Sequence, residues 1–248
     1  DINKIKEAGQ AIRDGKIVAF PTETVYGLGA DALNEEAILK IFKAKNRPLF
    51  DPLIVHINSL EDALDLVEDI TLIAKRLAGN FWPGPLTMVM KKKEKVSDLI
   101  TSGLGTVAIR IPRHPIAQAL IRESKRPIVA PSANLFTHIS PTCAEHVYRD
   151  LKGRVDIIID GGKTEVGVES TVVDVTGLPI EILRVGGLTV ENIKKVITDV
   201  KIASAIDNKI NSPGMLKKHY APKAKLILAD GKDSQMIQNI LSIALKYS

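Results

Sequence analysis

As far as Ile197, apolar residues along the chain follow two alternating rhythms. Ile2, Ile5, Ala8 and Ile12 fall at helical spacing and Gly15 follows as a stop, which predicts an opening helix. Residues 17–20 form a short continuous apolar run ending on Pro21, the mark of a buried strand. Ala37, Ile38, Ile41 and Phe42 outline a second amphipathic helix, and 53–57 returns to a β-rich apolar run. Ser59-x-x-Asp62 reads as a capping box and opens a helical pattern that runs, broken or unbroken, to Gly79. Strand-like runs follow at 86–91, 106–111, 127–131, 155–160, 171–175 and 181–184, and helical stretches at 115–124, 142–151 and 189–197. The 142–151 helix begins Thr142-x-x-Glu145, a second capping-box pattern, and stops before Gly153. Strands mixed with helices, many of the strands apolar throughout, predict an α/β (α+β) domain with a large sheet covered by helices.

Beyond Ile197 the periodicity weakens. Residues 198–224 carry Ser-Pro-Gly, Ala-Pro and scattered lysines and read as a linker. Residues 225–229 are strand-like and 234–246 helix-like. One strand and one helix enclose no core, so 225–248 reads as the start of a second α/β domain, and 1–197 as the main domain.

Composition narrows the class. The 248 residues are 45% apolar and 25% charged, which excludes a disordered tail, a fibre or a disulfide-stapled miniprotein. Aromatics make up only 4%, so the core must be built from Ile, Val, Leu and Ala. The net charge of +5 permits an anionic ligand without demanding one. Cys143 is the single cysteine and forms no internal disulfide, which fits a reducing compartment. With no apolar run of membrane-spanning length and no signal-peptide pattern, the expected location is the cytoplasm, away from any membrane. The standard nucleotide loops are missing: Gly162-Lys163-Thr164 comes nearest to a phosphate loop, but Ile157 occupies its first glycine and a strand follows it. His138, Cys143 and His146 can be written as a metal triad, yet their spacing fits a loop histidine and two helix positions better, and no metal site is expected from the protein alone. Lys91-Lys92-Lys93-Glu94-Lys95 reads as a solvated turn.

Four segments place polar groups at strand ends, where α/β proteins bind ligands. Pro21-Thr22-Glu23-Thr24-Val25-Tyr26-Gly27-Leu28-Gly29 brings two hydroxyls, a carboxylate and a phenol into a glycine-rich turn. Lys43, Lys45 and Arg47 leave a helix just before a proline-bounded loop and the strand carrying His56, where they can complement the helix end or clamp a polyphosphate. Thr106, Ala108 and Arg110 share one strand face, and an arginine there needs an anionic partner if buried. Ala130-Pro131-Ser132-Ala133-Asn134, with Ser140-Pro141-Thr142 behind it, offers small hydroxyl and amide groups. Each segment alone is as readily a turn as a site.

In order and spacing these segments, with FWPGPLT, DGG…GVESTVVDV and LRVGG, resemble the threonylcarbamoyl-AMP synthase family of YrdC-type fold, from about Ile5 to Ile197. Ser212-Pro213-Gly214-Met215 and Lys218-His219-Tyr220-Ala221-Pro222 are similar to the linker of its long, two-domain form. The resemblance implies a large twisted mixed sheet around a concave, positive cavity. It implies a nucleotidyltransferase that turns L-threonine, bicarbonate and ATP into L-threonylcarbamoyl-AMP and pyrophosphate, with Mg²⁺ accompanying ATP. A separate tRNA-modifying complex then uses the product. For threonine it implies Thr24, His56, Arg110, Ser170 and the Ala130 carbonyl. For ATP it implies Lys45, Arg47, Asp51, Thr106, Ser132, Asn134, Ser140 and Arg184, with Tyr220 of the linker closing over the nucleotide. Two positions depart from the family pattern. Asp51 stands where asparagine is usual, and a carboxylate beside a triphosphate is repulsive unless Mg²⁺ bridges them. Phe136-Thr137 replaces Ser-Gly and loses a glycine in a loop near the phosphates. Two other readings are an RNA-binding module with weak phosphate contacts, and a carbamoyl-transfer domain of a hydrogenase-maturation type protein, whose zinc-finger and acylphosphatase-like modules have no counterpart in the pattern.

Overall fold

The computed structural model describes residues 2–203 and 236–242. Its helices are α1 (Ile2–Arg13), α2 (Glu35–Lys45), α3 (Leu60–Ala63), α4 (Leu72–Phe81), α5 (Asp98–Thr101), α6 (Pro115–Ser124), α7 (Ala144–Leu151) and α8 (Val190–Val196). Its strands are β1 (Val18–Pro21), β2 (Tyr26–Asp31), β3 (Ile54–His56), β4 (Leu86–Lys91), β5 (Thr106–Arg110), β6 (Ile128–Val129), β7 (Ile157–Ile158), β8 (Thr171–Asp174), β9 (Ile180–Arg184) and β10 (Val200–Ile202). All ten join one mixed sheet in the order β10-β9-β8-β4-β5-β3-β6-β2-β1-β7.

Side chains alternate across the sheet and sort into two main cores, with a third, smaller cluster of Ile54, Val89, Ala108, Val172 and Leu183. Val18 and Phe20 of β1 pack with Ile128 of β6 and with Ala8, Ile12, Leu120 and Ile121 of α1 and α6. Ala19, Leu28, Val55 and Val129 face the other way, into a larger core shared with α2, α4, α7 and α8. Both cores are dominated by aliphatic residues, as the low aromatic content requires.

The helix ends follow their local chemistry. Ser59 and Asp62 close both halves of the expected capping box on α3, and Thr71 caps α4 through the Ala74 amide, so the pattern running to Gly79 is two helices. The second capping box does not form. Cys143 is the N-cap of α7 with no side-chain cap bond, and Thr142 lies near His146 Nδ1 instead.

Strand β2 lies in what the sequence presents as a glycine-rich turn. It runs antiparallel to both β1 and β6. Its glycines yield space to their neighbours: a Cβ on Gly29 would sit 2.7 Å from Phe20 Cε1 and 2.8 Å from Ile128 Cγ2. Low strand propensity is therefore the condition for close packing there. Short α5 also has no clear periodic signature. Strand β10 pairs parallel with β9 and takes into the sheet the first residues of the stretch read as linker. The body of that linker, Tyr220 and the predicted strand at 225–229 lie outside the described residues; of the predicted helix 234–246, residues 236–242 are helical. Among the described residues no helix is long and apolar enough to cross a membrane.

Candidate active site

Strand register builds the floor of the site. Parallel pairing of β3 with β5 sets His56 opposite Arg110, and antiparallel pairing of β3 with β6 leads into Ala130 and Pro131. Loops from β1, α2, β6 and β8 close over this floor. They leave a cavity between them that is open to solvent. Thr24, Arg47, His56, Arg110, Ala130, Ser132, Ser170 and Arg184, all expected from sequence, line it. So does Glu169, which is not among the expected residues.

Arg110 is the buried strand arginine, and its anionic partner is Glu23. Arg110 Nη2 donates to Glu23 Oε1 at 2.7 Å, Nη1 to Thr24 Oγ1 at 2.9 Å and Nε to the Gly84 carbonyl at 3.3 Å. Glu23 Oε2 also accepts from the Arg113 amide at 3.0 Å. Burial alone would raise the Glu23 pKa, but the adjacent guanidinium outweighs it and holds the carboxyl below its usual range. Three of the five N–H groups of Arg110 are thus engaged, and a ligand carboxylate can add to the remainder without displacing Glu23. Ser170 Oγ lies between Thr87 Oγ1 at 2.7 Å and Arg184 Nη2 at 3.2 Å. Arg184 also donates to the Ser170 carbonyl, from Nε at 3.1 Å and Nη2 at 2.9 Å. Gly186 permits this turn, because a Cβ there would come within 2.3 Å of the Glu169 carbonyl oxygen.

His56 packs edge-on against Phe20, with ring centroids 6.2 Å apart. Burial, aided by the charge of Arg110, lowers its pKa to about 3, so it faces the cavity as a neutral ring. The unfolded chain takes up this proton near pH 6.5 while the folded protein waits until about pH 3, so stability falls as pH drops through that window. His56→Gln should flatten the fall by about 1 kcal/mol per pH unit, measured by denaturant unfolding above the range where carboxylates titrate.

Other expected residues are placed differently. The Lys45 ammonium is turned away from the cavity, donating to the backbone carbonyls of Ser132 and of Asn134, the latter at 2.5 Å. Burial, reinforced by Arg47, pushes its pKa well below that of an ordinary lysine. The Asn134 side chain donates to the Leu135 and His138 carbonyls and so braces its own loop. Ser140 is bound to Glu169. Thr106 opens β5, four residues and ~13 Å from Arg110, and does not line the cavity. Asp51 does not line it either; its carboxylate pairs with Arg47 Nη2 at 2.9 Å. Asp51, expected beside the triphosphate, thus has its charge met by Arg47, because α2 ends close to the 48–52 loop.

Thr137, standing in the family's glycine position, keeps the glycine conformation with φ 71°. A β-branched residue is strained there, so Thr137→Gly should stabilise the protein by up to about 1 kcal/mol in denaturant unfolding, the gain reduced by the freedom glycine adds to the unfolded chain. His138 Nδ1 lies 3.0 Å from Asp150, and among the described residues no group of three or more His, Cys, Asp or Glu could hold a metal ion.

Comparison with known proteins gives the family. Residues 10–186 match the Sua5/YciO/YrdC family profile, described as telomere recombination, and residues 188–247 match the threonylcarbamoyl-AMP synthase C-terminal domain. Threonylcarbamoyl-AMP synthase of Pyrococcus abyssi is 50% identical over 248 residues, covering 98% of this chain and 73% of that protein. The chain belongs to the threonylcarbamoyl-AMP synthase family. The Bacillus subtilis synthase is 48% identical over 96% of this chain and 70% of its own length. The crystal structure of P. abyssi Sua5 complexed with L-threonine superposes with a TM-score of 0.96 at 49% identity, covering all of this chain and 74% of that one. This member of the synthase family thus keeps the large mixed sheet and flanking helices of its relatives.

Proposed function

We propose that the cavity makes L-threonylcarbamoyl-AMP from L-threonine, bicarbonate and ATP, releasing pyrophosphate. The observation that carries this reading is convergence: Arg47, Arg110 and Arg184 face one cavity beside, among the described residues, a single lining carboxylate, Glu169. Two anionic substrates and a leaving pyrophosphate need such a wall. Arg110 takes the threonine carboxylate, supported by Thr24 and Ser170. Neutral His56 and Thr24 frame the side chain, and the Ala130 carbonyl receives the amine. Arg47, Arg184 and the Ser132 hydroxyl meet the nucleotide, while Lys45 and Asn134 hold the loop that carries Ser132.

The products fix the bonds. An N–C bond forms between the threonine nitrogen and the bicarbonate carbon as water leaves, and a P–O bond forms to the α-phosphorus as pyrophosphate leaves. Neither step needs a protein nucleophile, so the residues act by positioning and by neutralising charge. Mg²⁺ belongs to the nucleotide substrate in this reading, since Asp51 is paired with Arg47 and, among the described residues, the cavity wall offers one carboxylate, Glu169. We assign the reaction to residues 1–197, place the protein in the cytoplasm, and place its product upstream of a threonylcarbamoyl-transfer complex acting on tRNA. Incubation with ATP, bicarbonate and labelled threonine should yield equal amounts of labelled adenylate and pyrophosphate. Pyrophosphate release that is independent of threonine would defeat the reading.

A further inference from the structure

Arg47 is one of three arginines on the cavity wall, and it is held on several sides by groups that do not themselves line the cavity. Its Nη2 lies 2.9 Å from Asp51 Oδ2, with side-chain exposures of only 3% and 0%. Nη2 also donates to the Pro52 carbonyl at 2.7 Å, and Nε to the Asp51 carbonyl at 3.1 Å. The flat face of the guanidinium is covered by Phe136, whose ring centroid is 5.8 Å from Cζ. Phe136 is in turn tied to the end of α2, its amide donating to the Lys45 carbonyl at 2.8 Å. Arg47 is therefore gripped in its plane by the 48–52 loop and over its face by the 131–138 loop.

The two side chains making this grip have complementary chemistry. The carboxylate holds the guanidinium through charge while the loop carbonyls give it direction, and an aromatic ring fixes the tilt of its plane through its π face. A flexible arginine must lose rotamer freedom each time it meets an anion; one already held in place avoids that loss. We propose that Asp51 and Phe136 are positioning residues that act through Arg47 to set affinity for the triphosphate nucleotide without touching it. The proposal rests on the reading that Arg47 meets the ATP phosphates. It distinguishes this chain from members carrying asparagine and serine at these two positions, where neither the ion pair nor the ring contact can form.

The test is a set of double-mutant cycles read by separate KM values for ATP and threonine on the full chain. Asp51→Asn keeps the shape and removes the charge; Phe136→Leu keeps the apolar bulk and removes the ring. Misplacement of a clamp residue should raise the ATP KM about tenfold for the first and roughly threefold for the second, with the threonine KM unmoved. Phe136→Tyr, which restores a ring, should return the ATP KM to its starting value. In an Arg47→Ala background, both substitutions should lose their effect, because the group they act through is gone. An Asp51→Asn effect that persists in that background and varies with Mg²⁺ would put Asp51 on a nucleotide-bound cation and overturn the proposal. So would equal rises in both KM values. Unfolding curves of each variant verify that the domain is intact; if Asp51→Asn does not fold, the Phe136 cycle decides alone. If Arg47→Ala itself leaves the ATP KM unchanged, it is the assignment of Arg47 to the phosphates that fails.

Discussion

Arg110→Leu is expected to abolish measurable threonine binding and to destabilise the protein in the same stroke. The side chains of Arg110 and Glu23 are 5% and 2% exposed, so water does little to screen their attraction. Leucine leaves the Glu23 carboxylate buried with backbone amides but no cation, and breaking a buried pair from one side typically costs ~3–5 kcal/mol. The two consequences separate in a second variant. Combining Glu23→Gln with Arg110→Leu removes the stranded charge and should recover much of the stability, while threonine binding stays lost. Calorimetric titration with threonine and denaturant unfolding read the two effects independently. An Arg110→Leu protein that binds threonine with unchanged affinity would reduce Arg110 to a structural residue.

Lys45→Met should carry the second-largest effect, and should act on the nucleotide side. Methionine fits the length of the lysine stem but leaves the Ser132 and Asn134 carbonyls without their donor. Each buried polar group stranded in this way costs roughly 1–3 kcal/mol, so for the two carbonyls a loss of about 2–6 kcal/mol is expected. The loop that loses its anchor carries Ser132 on the cavity wall and Phe136 on Arg47. ATP affinity should therefore fall well over tenfold while threonine affinity moves little. Titrations with each ligand measure the split. Equal losses for both would mean that the whole cavity collapses rather than one loop.

Most of the fold was legible because periodicity and burial agree along most elements. The 86–91 strand and the 115–124 helix stand where the pattern puts them. Strand β2 was hidden for a physical reason: Gly27 and Gly29 are selected for the space they yield to Phe20, and that choice imitates a turn. The site was legible in membership more than in direction. Arg110 needed a buried anion, and the structure supplies Glu23 from the segment that also carries Thr24. Pattern alone could not reveal that Lys45 turns inward onto carbonyls, or that Asp51 and Phe136 meet at Arg47. The Lys45 and Phe136 contacts join parts of the chain some ninety residues apart, which no local spacing records; Asp51 is only four residues from Arg47, but that spacing across a proline-bounded loop does not by itself give the direction of either side chain. Glu169 had a faint signal, as the one acidic residue beside Ser170 in an otherwise neutral strand entry.

The cavity wall is drawn from positions as far apart as Thr22 and Arg184. Its last contributors, Glu169, Ser170 and Arg184, arrive with β8 and β9, after β4 has waited more than seventy residues for its parallel partner β8. During synthesis, then, a chain that already displays Arg47, His56 and Arg110 still lacks the far side of its pocket. Ligands stabilise only the state they bind. Substrate can protect the finished domain against unfolding, but it has little to hold until the final strands have joined the sheet. The long-range pairing that makes such sheets slow to form must be completed unaided, by strand register and core packing alone.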